Sequence, residues 1–195
     1  IAKPTIVVAH GMSCAFVVAD AYRHPKLFER LVLVAPLPTM LQENTAGPLN
    51  AAWKFTLRTP ILGEFIYNIL TSRRAIRGHY DRQGYHNPGL ITDELVEYIY
   101  TSAHQPNSRF AMSSFLSNNL TMDVHEAIGR LKMPVIAMWG REGVPTSGEA
   151  SDAFKRVNKN IDVRIINKCS HNPQDEQAIE FNSLIRELAG ATVTQ

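Results

Sequence analysis

The chain is 195 residues long, 45% of them hydrophobic, with a formal net charge of +2. That length holds one domain with a sizeable core, and the scattered Lys and Arg residues exclude the concentrated basic stripe of a nucleic-acid binder. No apolar run approaches the roughly 18 residues that a bilayer-spanning helix needs.

Residues 5–17 read TIVVAHGMSCAFV. Residues 5–9 are β-branched and continuously apolar, as expected of a strand buried on both faces. A tight turn at His10-Gly11 leads into an apolar helix over 12–23, whose one acid is Asp20. His24-Pro25 stops that helix, because the residue before a proline is pushed out of the helical region. Residues 30–35 form the second strand and end at Pro36.

Residues 40–125 contain no convincing β run. Helices are expected over 51–57, 61–69, 72–82 and 92–103. Turn signals separate them at Gly47-Pro48, Thr59-Pro60, Asn87-Pro88-Gly89 and Gln105-Pro106-Asn107. The third strand covers 134–139 and ends at Gly140. A helix over 147–157 follows, opened by Ser147 or Thr146. The partial alternation of 161–166 suits a strand nearer the sheet edge. An amphipathic helix over 174–188 closes the chain and is ended by Gly190.

Strand and helix in alternation imply right-handed parallel crossovers. The expected class is α/β: a doubly wound, mostly parallel sheet built from residues 1–39 and 126–195, with an all-helical cap inserted over 40–125. Cys14 and Cys169 are the only cysteines. Two cysteines make no disulfide framework, so reduced thiols and a cytoplasmic location are expected. His24, His79, His86, His104 and His125 show no metal-ligand spacing, and no glycine-rich phosphate loop or dinucleotide fingerprint is present, so neither cofactor nor metal is expected.

These segments, in this order, resemble the α/β-hydrolase superfamily over nearly the whole chain, as the C-terminal part of that fold. The resemblance is carried by the elbow VVAHGMSCA, by HPKLFERLVLVAP, by the strand MPVIAMWGRE and by the late loop KCSHNPQDEQAIEFN. The segment TDELVEYIYTSAHQPNSRF is similar to that of a cyanobacterial and plastid branch whose elbows are often atypical; a photosynthetic eukaryote as source would make the plastid the expected compartment. The resemblance implies further strands and an oxyanion loop upstream of the elbow. A four-stranded sheet alone exposes a long apolar edge, so the chain is expected to be a fragment of a longer protein or a domain completed by another chain.

In that superfamily a triad follows the chain order nucleophile, acid, histidine. The resemblance places Gly11 at the nucleophile position, Gly143 of Trp139-Gly140-Arg141-Glu142-Gly143 at the acid position, and His171 at the histidine. It leaves the backbone N–H of Met12 as an oxyanion donor. A serine attacks only when a histidine removes its proton, and the acid fixes that histidine's tautomer. Glycine can do neither, although it tolerates the strained backbone of an elbow.

Three residues are candidate substitutes. Ser13 lies about 200° around the helix from position 11 and Cys14 about 300° around, so Ser13 is expected to point away and Cys14 to pack beneath the turn. Glu142 adjoins the lost acid position but is expected as a solvated loop carboxylate. His10, just before the elbow position, has two readings, a residue lining the pocket or a partly buried strand-end histidine, and the second is favoured. Asp175 and Glu176 read as N-terminal charges of the closing helix. His171 reads equally as a retained general base or as a loop histidine with no task.

The function expected from the resemblance is hydrolysis of a small apolar or ester-like molecule by a degenerate triad. Trp53, Phe55, Phe65, Tyr67, Tyr98 and Tyr100 would line its pocket or simply form the core of the cap. The alternative is a catalytically inactive ligand-binding or interaction protein on the same fold. A third reading is proton abstraction by His171 without a nucleophile. Nothing in the sequence indicates an oligomeric state.

Overall fold

The computed structural model describes residues 3–42, 47–143 and 147–190. Four strands, β1 (Thr5–His10), β2 (Phe28–Val34), β3 (Val135–Gly140) and β4 (Asp162–Ile166), form one sheet in the order β1-β2-β3-β4. Every pairing is parallel: Val8 faces Val32, Leu33 faces Ala137 and Met138 faces Arg164. Helix α1 (Ser13–Arg23) joins β1 to β2. Between β2 and β3 lie α2 (Pro48–Arg58), α3 (Leu62–Leu70), α4 (Arg73–His79), α5 (Asp93–Ala103), α6 (Ser108–Leu116) and α7 (His125–Gly129). Helix α8 (Ser147–Val157) joins β3 to β4, and α9 (Pro173–Glu176) and α10 (Ala178–Leu188) follow.

Side chains alternate across a strand, and both faces of the central strands are covered. Val32, Val34, Ile136 and Met138 pack with Ile166, Cys169 and the α10 residues Phe181 and Leu188. Leu31, Leu33, Ala137 and Trp139 face the other way and are equally buried. There Trp139 meets Phe154 of α8 edge-on, ring centroids 5.4 Å apart, and α1 packs on β1 and β2. Burial on both faces is why β2 and β3 read as unbroken apolar runs. The architecture is therefore a doubly wound parallel α/β sheet.

Strand β1 pairs with β2 along one edge, and Val8 is 45% exposed. The single closing helix expected over 174–188 is two helices, because Gln177 between them leaves the helical region at φ −128°, ψ 49°. The expected helix over 72–82 keeps its α geometry only through α4 and then widens into a π-helical turn over Tyr80–Gly84. Helices α6 and α7 carry no clear sequence signal. Thr146, one of the two expected openers of α8, lies outside the described residues.

By Cα proximity the chain divides into two units. One comprises Ile1–Gln42, Gln83–Asn87 and Asp123–Gln195; the other comprises Glu43–Arg82 and Pro88–Met122. Residues 83–87, inside the stretch expected to be cap, group with the sheet.

Among its described residues the second unit contains helices and no strand. Helix α2 packs on α3 and α6, and α4 on α5. The hydroxyl of Tyr67 donates to Ala103 O at 2.6 Å. Tyr100 lies between the Arg73 guanidinium, 3.6 Å above its ring, and the stacked ring of His104 at 4.0 Å. Arg73 also grips Glu97 through two bonds of 2.6 and 2.8 Å. Thr92 caps α5 by accepting from Leu95 N. Of the six aromatics expected around a pocket, Tyr67 is buried, whereas Phe55, Phe65 and Tyr98 are more than half exposed. Among the described residues no helix is long and apolar enough to cross a membrane.

Candidate functional site

Strand β1 ends at His10, α1 begins at Ser13, and Gly11 between them has φ +57°. That left-handed conformation costs glycine nothing because it has no Cβ. The Gly11 N–H donates to Val34 O at 2.8 Å and closes the turn onto β2. A Cβ added at Gly11 would lie 3.5 Å from Nε2 of His171. The fold thus brings Gly11 and His171 together at the carboxyl ends of the sheet's strands, where parallel α/β sheets hold their ligands.

Gly143 follows β3. Its N–H donates to Gly140 O at 3.2 Å, and a Cβ added there would lie 3.2 Å from Gly140 O and 3.7 Å from Ser170 O. Gly143 therefore adjoins Ser170, the residue preceding His171. Ala35, Pro36, Leu37, Trp139, Gly140, Gly143, Ser170 and His171 line one narrow pocket of about 10 Å³, room for a single water molecule.

The candidate substitutes are engaged in other bonds. Ser13 Oγ donates to His10 O at 2.7 Å and accepts from His10 N at 3.2 Å, so the hydroxyl closes its own turn. Cys14 is fully buried, with its thiol 3.3 Å from Ala9 O and 3.7 Å from Val34 O. Burial pushes that thiol up to about 12, outweighing backbone hydrogen bonding at Val34 and Cys14 that favours the thiolate, so no thiolate nucleophile forms near neutrality. Burial, reinforced by the charges of Glu176, Glu142 and Glu180, likewise pushes Cys169 up to about 12. The Glu142 carboxylate accepts from Cys169 N at 3.1 Å, while its own N–H donates to Cys169 O at 3.1 Å. Glu142 thereby joins the loop after β3 to the loop after β4.

Two contributors were not legible in the sequence. His10 Nε2 lies 2.9 Å from the carbonyl oxygen of His171, and the two rings are 4.9 Å apart between centroids. A carbonyl only accepts, so His10 Nε2 carries the proton and donates. The available signal was its place, the last residue of a parallel strand beside the elbow. The second contributor is Glu176, whose carboxylate takes three backbone N–H groups: Ser170 at 2.5 Å, His86 at 2.7 Å and Asn87 at 2.9 Å.

Around Glu176, Ser170 Oγ donates to Gln83 O, Asn172 Nδ2 to Gly84 O, and the Tyr85 hydroxyl to Asp175. The two carboxylates do stand in the first turn of a helix, α9, and from there they also hold residues 83–87 against the His171 loop. Glu176→Ala would strand three donors, and each charge-assisted bond lost costs about 1–3 kcal/mol. The variant is expected to unfold at clearly lower urea and to be cut faster by trypsin after Arg82; an unchanged cleavage rate would show that these bonds do not secure the segment. Among the described residues no group of three or more His, Cys, Asp or Glu is arranged to hold a metal ion.

No protein-family model matches the chain. Solved structures do resemble it. A meta-cleavage product hydrolase from Pseudomonas fluorescens IP01 aligns over 96% of this chain and 65% of its own, at 22% identity and a TM-score of 0.66. The 2-hydroxy-6-oxo-6-phenylhexa-2,4-dienoate hydrolase from Rhodococcus sp. strain RHA1 aligns over 97% and 65%, at 18% identity and a TM-score of 0.68. The epoxide hydrolase CorEH aligns over 95% and 67%, at 17% identity and a TM-score of 0.70. The chain spans about two thirds of the length of these proteins. With its parallel sheet, its elbow at Gly11 and its histidine loop after β4, the chain has the α/β-hydrolase fold.

Proposed function

We propose that the protein carries a degenerate hydrolase site that binds a small apolar or ester-like molecule beside Gly11 and His171 and forms no acyl-enzyme with it. The observation that carries this reading is the 3.5 Å separation between His171 Nε2 and the Cβ direction of Gly11. A histidine stands where the proton acceptor of a nucleophile stands, and Gly11, which it faces, has no side chain. Ser13, Cys14 and Glu142, each occupied in local bonds, supply no replacement. Gly143 leaves the acid's place without a carboxylate.

The retained approach of His171 favours a second reading: slow hydrolysis of the same molecule by water, with His171 as general base. Short-chain p-nitrophenyl esters separate the two. Calorimetry reads the binding of these esters, and release of p-nitrophenolate reads their turnover. Binding without turnover supports the first reading; burst-free turnover that disappears in His171→Ala supports the second. Labelling of the native protein by a fluorophosphonate, which traps serine-hydrolase nucleophiles, would overturn both.

A further inference from the structure

We propose that His10 is a positioning residue for His171: its Nε2–H, donated to the His171 carbonyl, sets the direction in which the His171 imidazole projects over Gly11. The inference rests on the reading of Gly11 and His171 as the functional cleft and names the group that holds that cleft in register.

His10 is well placed to hold another residue because it is itself held. As the last residue of β1 it sits opposite Val34 in the ladder. Its backbone N–H and carbonyl are both bonded by the Ser13 hydroxyl, at 3.2 and 2.7 Å. Its side chain then crosses to the loop after β4 and bonds the carbonyl of His171 at 2.9 Å. One residue earlier, the N–H of Ser170 is fixed by Glu176 at 2.5 Å. Anchors at Ser170 N and His171 O bracket the backbone of His171 and leave its Cα–Cβ bond little freedom. The ring of His10, tilted 60° to that of His171 at 4.9 Å, adds a wall beside the imidazole. The same residue thus abuts the elbow through the chain and the histidine through space.

The donor and the ring make separable contributions. His10→Gln places an amide N–H at the reach of Nε2. His10→Asn carries the same amide but falls short of that reach. His10→Phe keeps a ring and has no donor. Two readouts apply to all three variants, with thermal melting as the check that each is folded. The first is the 15N-edited spectrum of the His171 imidazole in the protein with its native Gly11. One sharp set of signals is expected for the native protein and His10→Gln, and broadened or split signals for His10→Asn and His10→Phe.

The second readout is the rate of fluorophosphonate labelling in a Gly11→Ser background. Displacing a reacting group by an ångström can cost about a hundredfold. His10→Gln is therefore expected to label within about threefold of the His10 parent, and His10→Asn and His10→Phe at least about tenfold more slowly. Equal His171 spectra in all three variants would overturn the positioning role, as would a His10→Gln rate no better than that of His10→Phe. If Gly11→Ser never labels but the spectra divide as expected, the positioning role is supported and the reading of Gly11 as the nucleophile's place fails.

Discussion

Gly11→Ser is expected to turn a protein that fluorophosphonates leave untouched into one they label covalently at residue 11. The new Cβ would stand 3.5 Å from His171 Nε2, which brings a hydroxyl within hydrogen-bond reach of the ring by rotation about χ1. Two opposing effects accompany the gain. A side chain at φ +57° is strained, at a cost of about 1–3 kcal/mol, so the variant should melt a few degrees lower as it becomes reactive. The labelling should also be slow, because Gly143 supplies no carboxylate to fix the imidazole tautomer. In a serine protease, loss of that carboxylate's charge lowers turnover by roughly 10⁴.

Adding Gly143→Asp to Gly11→Ser should therefore raise the labelling rate by about a hundredfold or more. Its Cβ contact of 3.2 Å with Gly140 O requires a shift of a few tenths of an ångström. Gly11→Ala is the control: it carries the same strain and no hydroxyl, and should stay unlabelled. A folded Gly11→Ser, Gly143→Asp protein that remains unlabelled would refute the assignment of both glycines.

The largest stability effect is expected at Gly140, where no strained φ is involved. A Cβ there would lie 2.1 Å from Ser170 O and 2.2 Å from Cys169 O. Both are backbone atoms, so no side chain can swing aside; the end of β3 or the loop carrying His171 must move. That loop is bonded to β3's continuation through Glu142 and to residues 83–87 through Glu176, so displacement breaks several bonds at once. Gly140→Ala should destabilise by about 3–5 kcal/mol, at the upper end for a single methyl. Gly148→Ala meets nothing within 4 Å and should change stability by less than about 1 kcal/mol. Equal urea midpoints for the two variants would show that the His171 loop is not seated on Gly140.

Much of the fold was legible in the residues. Strands β2 and β3 are buried on both faces, so their apolar runs are unbroken and self-announcing. Helix α8 falls where its sequence pattern placed it. The break at Gln177 and the π-helical turn over Tyr80–Gly84 were not legible, because apolar spacing reports a face and not the continuity of backbone hydrogen bonds.

The same division runs through the site. The chain's own chemistry determined that positions 11 and 143 hold neither nucleophile nor acid, since glycine has no group to offer in any fold. Tertiary structure alone decided that these positions flank His171, that Ser13 and Cys14 are spent on local carbonyls, and that His10 and Glu176 hold the histidine loop. Those pairings join residues separated by up to 161 positions. Such contacts are set by parallel strands delivering their carboxyl ends to one edge of the sheet, not by any neighbour along the chain.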